Sequence, residues 1–75
     1  SRDARRDLER AEARATALDA EVSRLTDLLA DPRTYEGNEG RMRGQQLNSE
    51  LEKARAELSR AMSEWERAME VAGEG

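Results

Sequence analysis

The sequence predicts an all-α fold, a two-helix antiparallel coiled-coil hairpin that forms a single domain over residues 1–75. Three observations predict it. Apolar residues recur at alternating spacings of four and three in two stretches, which is the pattern of a heptad seam. The one proline lies between those stretches, where it ends a helix. The chain is 40% charged and lacks phenylalanine, which suits a narrow seam better than a globular core.

The first helix is predicted over about residues 3–30. Asp3 and Asp7 place negative charge at the positive end of its dipole, so we expect it to begin near Asp3. Its seam residues are Ala4, Leu8, Ala11, Ala15, Leu18, Val22, Leu25 and Leu29. This regular spacing argues against disorder, which is the alternative for so charged a chain.

The connecting loop is predicted over about residues 31–40. Pro32 lacks an N–H and disfavours the helical conformation of Asp31, so the first helix should stop there. Asn38 is a candidate N-cap for the second helix. Gly40 and Gly44 are expected to weaken the first turns after it.

The second helix is predicted over about residues 41–72, with Gly73 and Gly75 ending it. Met62 and Met69 widen its apolar stripe beside Trp65. Its seam residues are Leu47, Leu51, Ala54, Leu58, Ala61, Trp65, Ala68 and Ala72. A helix of about 28 residues spans about 42 Å, so the molecule should be a rod.

Folding back at Pro32 makes the helices antiparallel, and pairing Leu29 with Leu47 sets the register. The other predicted pairs are Leu25 with Leu51, Val22 with Ala54, Leu18 with Leu58, Ala15 with Ala61, Ala11 with Trp65, Leu8 with Ala68, and Ala4 with Ala72. Trp65 therefore meets a small residue, which favours a packing role over a recognition role. Leucine layers lie near the turn and alanine-rich layers near the termini, so the turn end should be the better packed.

The composition excludes several kinds of chemistry. Cysteine and histidine are absent, which excludes a disulfide framework, a cysteine nucleophile and a His or Cys metal site. The carboxylates of Glu64, Glu66 and Glu70 lie on successive sides of one helix and should not converge on a cation. A two-helix rod has no enclosed pocket, so we expect no catalytic, metal or cofactor site in this chain.

No apolar run approaches the ~18 residues of a membrane span, and no signal-peptide core follows the N-terminus. We therefore expect a cytoplasmic protein without membrane contact. A chain that does not begin with Met is expected to be a piece of a longer one.

The loop and second helix resemble a known family. The residues that carry the likeness are Leu29-Ala30-Asp31-Pro32-Arg33-Thr34-Tyr35, then Leu47, Leu51 and Leu58, then Trp65-Glu66. Joined to two heptad helices, this pattern is similar to the C-terminal coiled-coil domain of the ABC-F ATP-binding cassette proteins, the Uup-like group. The resemblance implies a parent with two tandem ATPase domains that bind ATP and Mg²⁺. No phosphate-binding G-x-x-x-x-G-K-[ST] motif lies in this chain.

The resemblance also implies a non-catalytic appendage that contacts DNA, ribosomal RNA or the ribosome during translation. The candidate contact residues are Arg33, Tyr35, Arg41 and Arg43 around the loop, with Arg6 and Arg10 on the first helix. Arginine binds phosphate readily, and an outward tyrosine ring can stack on a base.

Other interpretations of the same residues stay open. Acidic neighbours and a net charge of −4 are equally typical of solvated surface charge. Tyr35 either points outward or, as we favour, folds onto Leu29, Met42 or Leu47 and closes the rod. The alternative function is a structural or protein-interaction coiled coil that self-associates and does not bind nucleic acid.

Overall fold

The computed structural model describes residues 1–74, which form two long helices joined by a short turn. Helix α1 spans Arg2–Ala30 and helix α2 spans Gly40–Glu74, with a 3₁₀ turn over Pro32–Tyr35 between them. The predicted all-α helical hairpin is confirmed. The rod measures 56 × 14 × 14 Å, longer than the expected 42 Å because α2 has 35 residues. Within residues 1–74 no helix contains an apolar stretch long enough to cross a membrane.

The start of α1 is set by Ser1. The backbone N–H of Ala4 donates to Ser1 Oγ at 3.1 Å, which satisfies one of the N–H groups that a helix leaves unpaired in its first turn. The helix therefore begins one residue before Asp3, which lies in its first turn.

The seam follows the heptad pattern along both helices. Every seam residue predicted above is buried or half-buried. The core cluster consists of Leu25, Leu51 and Ala54, with Val22, Leu29 and Leu47 packed around it. These six residues are three of the pairs that the predicted register brings together.

Full burial is concentrated in the half of the rod near the turn. None of residues 1–24 is fully buried, and Leu25 is 1% exposed. In α2 the buried residues near the turn are Gly40, Gly44, Leu51 and Ala54, and among the described residues Ala61 is the one buried residue of the other half. We call the turn end the closed end and the end with Ser1 and Glu74 the open end.

The ends of α2 differ from the prediction. The N–H of Arg43 donates to the carbonyl of Glu39 at 2.9 Å, so Glu39 precedes the first turn and the assignment of Asn38 as N-cap is wrong. The chain turns at Gly37, whose φ of 81° suits glycine. At the other end, Gly73 lies inside α2; Gly75 lies outside the described residues.

A candidate functional site at the closed end

The last carbonyl groups of α1 accept hydrogen bonds from the 3₁₀ turn. Leu28 O accepts from the N–H of Asp31 at 3.2 Å and from the hydroxyl of Thr34, which is buried. Leu29 O accepts from the phenol of Tyr35 at 2.6 Å. A helix leaves its last carbonyls without internal partners, so these bonds cap α1. We call residues 28–44, which contain this cap, the tip.

Asp31 and Arg33 stabilise the start of the turn. Pro32 occupies the first turn position, where a missing N–H costs nothing, and the Asp31 carboxylate accepts from the Arg33 N–H at 3.0 Å. The Arg33 guanidinium also reaches Asp31 Oδ2 at 2.7 Å. This ion pair, together with the backbone bond, lowers the pKa of Asp31. The Arg33 side chain stays 81% exposed.

Tyr35 packs on two glycines of α2. A Cβ on Gly44 would lie 2.6 Å from Tyr35 Cε1, and a Cβ on Gly40 would lie 1.9 Å from the Tyr35 carbonyl oxygen. Both helical positions therefore require glycine. Because its phenol donates to the Leu29 carbonyl oxygen, Tyr35 folds back and closes the end of the rod. The residue is 47% exposed, so part of it still faces solvent.

Gly40 and Gly44 have a packing role, against Tyr35, that their low helix propensity does not indicate. Gly40 and Gly44 are four residues apart, and Gly44 and Leu47 are three apart, so the two glycines continue the seam of α2 toward its N-terminus. That spacing is a sequence signal that both positions lie on the seam, but it does not say which group packs there. Glycine at a seam position leaves space where a side chain would lie, and here Tyr35 fills that space.

Arg43 holds the turn from the side of α2. Its Nη1 donates to Thr34 O at 2.7 Å and to Glu36 O at 3.2 Å. These carbonyls lie at the end of the 3₁₀ turn, where they lack partners within the turn. This nitrogen is therefore engaged in holding the tip together.

Arg41 borders a groove on the surface of the tip. The groove has a volume of about 390 Å³ and is lined by Leu29, Tyr35, Arg41, Gly44, Gln45 and Asn48. Arg41 is exposed, and within residues 1–74 it forms no ion pair or side-chain hydrogen bond. The groove thus combines an available guanidinium, two amides and the Tyr35 side chain.

The other candidate residues lie elsewhere. Arg6 and Arg10 are exposed near the start of α1. Arg10 lies about 30 Å from Ala30 along the helix axis, so neither arginine is part of the tip. Ala11 and Trp65 are both half-buried; their direct pairing stays a prediction. Among residues 1–74 no three acidic side chains gather as a metal site.

The fold and the tip define a class of domain, a coiled-coil hairpin whose turn is built as a hydrogen-bonded cap. Residues 1–70 match the family model of the ABC transporter C-terminal domain. The chain belongs to this family, which confirms the predicted resemblance at the level of a C-terminal domain of an ABC protein. Searches of curated proteins and of solved structures give no match.

Proposed function

We propose that this domain is the C-terminal appendage of a cytoplasmic tandem-cassette ATPase of the ABC-F type, Uup-like, and that its tip contacts nucleic acid. The ligand class is DNA or ribosomal RNA, including RNA on the ribosome. The ATP and Mg²⁺ of such a parent belong to its ATPase domains. The family match supports the appendage, and the geometry of the tip supports the contact.

The observation that carries the proposal is the groove beside Arg41. A guanidinium without a protein partner is suited to a phosphate oxygen. The amides of Gln45 and Asn48 both donate and accept, as base edges require. The partly exposed Tyr35 adds an aromatic surface next to them.

The tip is also held ready for contact. Thr34, Tyr35 and Arg43 fix the turn through four hydrogen bonds to backbone carbonyls. A partner therefore has little loop ordering to impose, which reduces the entropy cost of binding. At one end of a rod of 56 Å, such a tip suits the irregular single-stranded regions where RNA is recognised by sequence.

The charge of the tip limits the affinity. Arg33 is paired with Asp31 and Arg43 is bonded to the turn, which leaves Arg41 as the main phosphate contact. A protein that neutralises about one phosphate has a salt slope of about −1. We therefore expect weak binding that falls about fourfold between 50 and 200 mM salt.

The test is fluorescence anisotropy of labelled single-stranded DNA and of an RNA stem-loop, titrated with the domain at both salt concentrations. Arg41→Gln should weaken binding about five- to tenfold, because it removes the phosphate contact. The matched control is Arg60→Gln, which changes the same charge at an exposed site on α2 far from the tip. Equal losses in the two variants, or no binding at 50 mM salt, would contradict the proposal.

The second candidate function is a protein-interaction coiled coil. It is favoured by a different observation, since Met62 and Met69 are 41% and 42% exposed in the open half beside the half-buried Trp65. Exposed apolar side chains that adjoin one another are typical of contact surfaces. Sedimentation equilibrium tests self-association directly, because a dimer of the isolated domain at micromolar concentration would favour this function over the first.

A further inference from the structure

A second groove runs along one side of the seam in the open half. Its volume is about 450 Å³. Both helices line this groove, which we call the acidic groove. Its lining residues are Glu12, Ala15, Thr16 and Asp19 of α1 and Leu58, Met62 and Trp65 of α2.

The groove exists because small residues face large ones. Ala15 and Thr16 are too short to cover the side chains of Met62 and Trp65. Met62 is consequently 41% exposed, and Trp65 is only half-buried. The floor is therefore an apolar surface that the hairpin itself leaves in contact with water.

The apolar floor has the shape of a ridge. Leu58, Met62 and Trp65 follow one another at spacings of four and three, so they lie along one face of α2, parallel to the rod. A third helix laid alongside packs onto such a ridge through its own apolar stripe. The flexible thioether of Met62 adapts to side chains of different shape.

The rim carries negative charge. Glu12 and Asp19 are the two ionisable residues that line the groove. They are exposed and lie about 10.5 Å apart along α1, two helical turns. The ion pairs within residues 1–74 are Arg24 with Glu21 and Arg33 with Asp31, so neither rim carboxylate has a cationic partner there.

We propose that the acidic groove binds an amphipathic helix with a basic flank, supplied by a partner segment. Apolar residues of that helix lie on Leu58, Met62 and Trp65, and Lys or Arg residues two turns apart meet Glu12 and Asp19. Charge complementarity selects this occupant over a second copy of the chain. A two-fold pairing of two such grooves brings both acidic rims into one interface, where like charges repel.

Trp65 is the only tryptophan of the chain, so its fluorescence reports occupancy of the groove. The probe is a 21-residue helical peptide of Leu, Ala and Lys, with Leu at heptad spacing and no aromatic residue. The control peptide carries Glu in place of every Lys. The Lys peptide should move the Trp65 emission to shorter wavelength in a saturable way and bind more weakly at 300 mM salt, whereas the Glu peptide should leave the emission unchanged.

Two double variants separate the rim from the overall charge. Glu12→Gln with Asp19→Asn removes two negative charges from the rim and should weaken binding about tenfold. The matched control, Asp7→Asn with Glu64→Gln, removes the same charge from residues that border a separate groove and do not line the acidic groove. Its dissociation constant should stay within about twofold of the parent. All four residues are exposed, and circular dichroism verifies that both variants fold.

Three results would overturn the proposal. The first is no emission change with the Lys peptide. The second is equal weakening in the two double variants, which would indicate attraction to the overall field of the domain. The third is a dimer in sedimentation equilibrium without peptide, with Trp65 already shielded from acrylamide quenching, which would identify a second copy as the occupant.

Discussion

The closed and open halves of this rod have the same heptad spacing but differ in what fills it. Near the turn, Leu25 and Leu51 are buried together, and side chains of the tip cap the end of α1. In the open half the seam of α1 is half-buried along its whole length. The spacing of apolar residues therefore sets the fold in both halves, whereas side-chain volume and hydrogen bonds determine how tightly each half is held. Native-state hydrogen exchange should show that the open half unfolds locally at a lower free energy than the closed half.

The largest expected effect is loss of the buried leucine. Leu25→Ala leaves a cavity in the core cluster and should lower the free energy of unfolding by about 2–5 kcal/mol. Leu8→Ala, the same change at a half-buried seam site in the open half, should cost about 1 kcal/mol because less area leaves water there. Urea denaturation followed by circular dichroism measures both. Equal losses would mean that the halves are equally well packed.

The second largest effect is expected from the contact between Gly40 and Tyr35. Gly40→Ala places a methyl group against the backbone of Tyr35, which cannot move aside as a flexible side chain does, so we expect a loss of about 2–3 kcal/mol. Gly73→Ala is the matched control, because no atom lies within 4 Å of its added Cβ. That variant should gain up to about 1 kcal/mol from helix propensity. A stable Gly40→Ala variant would show that Tyr35 does not pack on α2 as described.

Removing a single hydrogen bond of the cap tests the tip more gently. Tyr35→Phe keeps the ring over Gly44 but leaves Leu29 O without its phenol donor, at a cost of about 1 kcal/mol. Hydrogen exchange should quicken at the end of α1 and stay unchanged near Ser1. Faster exchange along the whole rod would instead indicate that the two halves open as one unit.

The smallest effect is a dependence on pH. The pKa of Asp31 is lowered in the folded state by Arg33. The stability that this carboxylate contributes is therefore present above its unfolded pKa of about 3.9 and is lost as the pH falls through its lower folded value. Asp31→Asn should flatten the fall in Tm between pH 5 and 2, while Glu66→Gln, an exposed site on α2, should preserve it. The difference is small because Arg33 is largely exposed to solvent, which screens the ion pair.

The fold was predictable because a heptad seam depends only on residue spacing. The same spacing predicted which residues are buried in both helices, and leucine and alanine volumes predicted the better packed half. Even the glycine positions of the tip continue that spacing. Their packing role was not predicted, because glycine is ordinarily a poor helix former and the contact with Tyr35 depends on the path of the turn.

The details of the tip were beyond sequence reasoning for a physical reason. Arg43 donates to Thr34 O and Glu36 O, backbone atoms whose positions depend on the 3₁₀ turn and carry no residue-type signal. The same holds for the carbonyls that Thr34 and Tyr35 cap. The acidic groove depends on the exposure left to Trp65 and Met62, which the spacing of seam residues does not specify.

The bonds of the cap have one consequence for how such domains vary in size. All of them join residues within the tip, from Leu28 to Arg43. Inserting one heptad in each helix would therefore carry the tip about 10.5 Å farther out without altering a single one of these bonds. The length of the hairpin and the structure of its tip can therefore change independently, so related domains can have longer helices and the same tip.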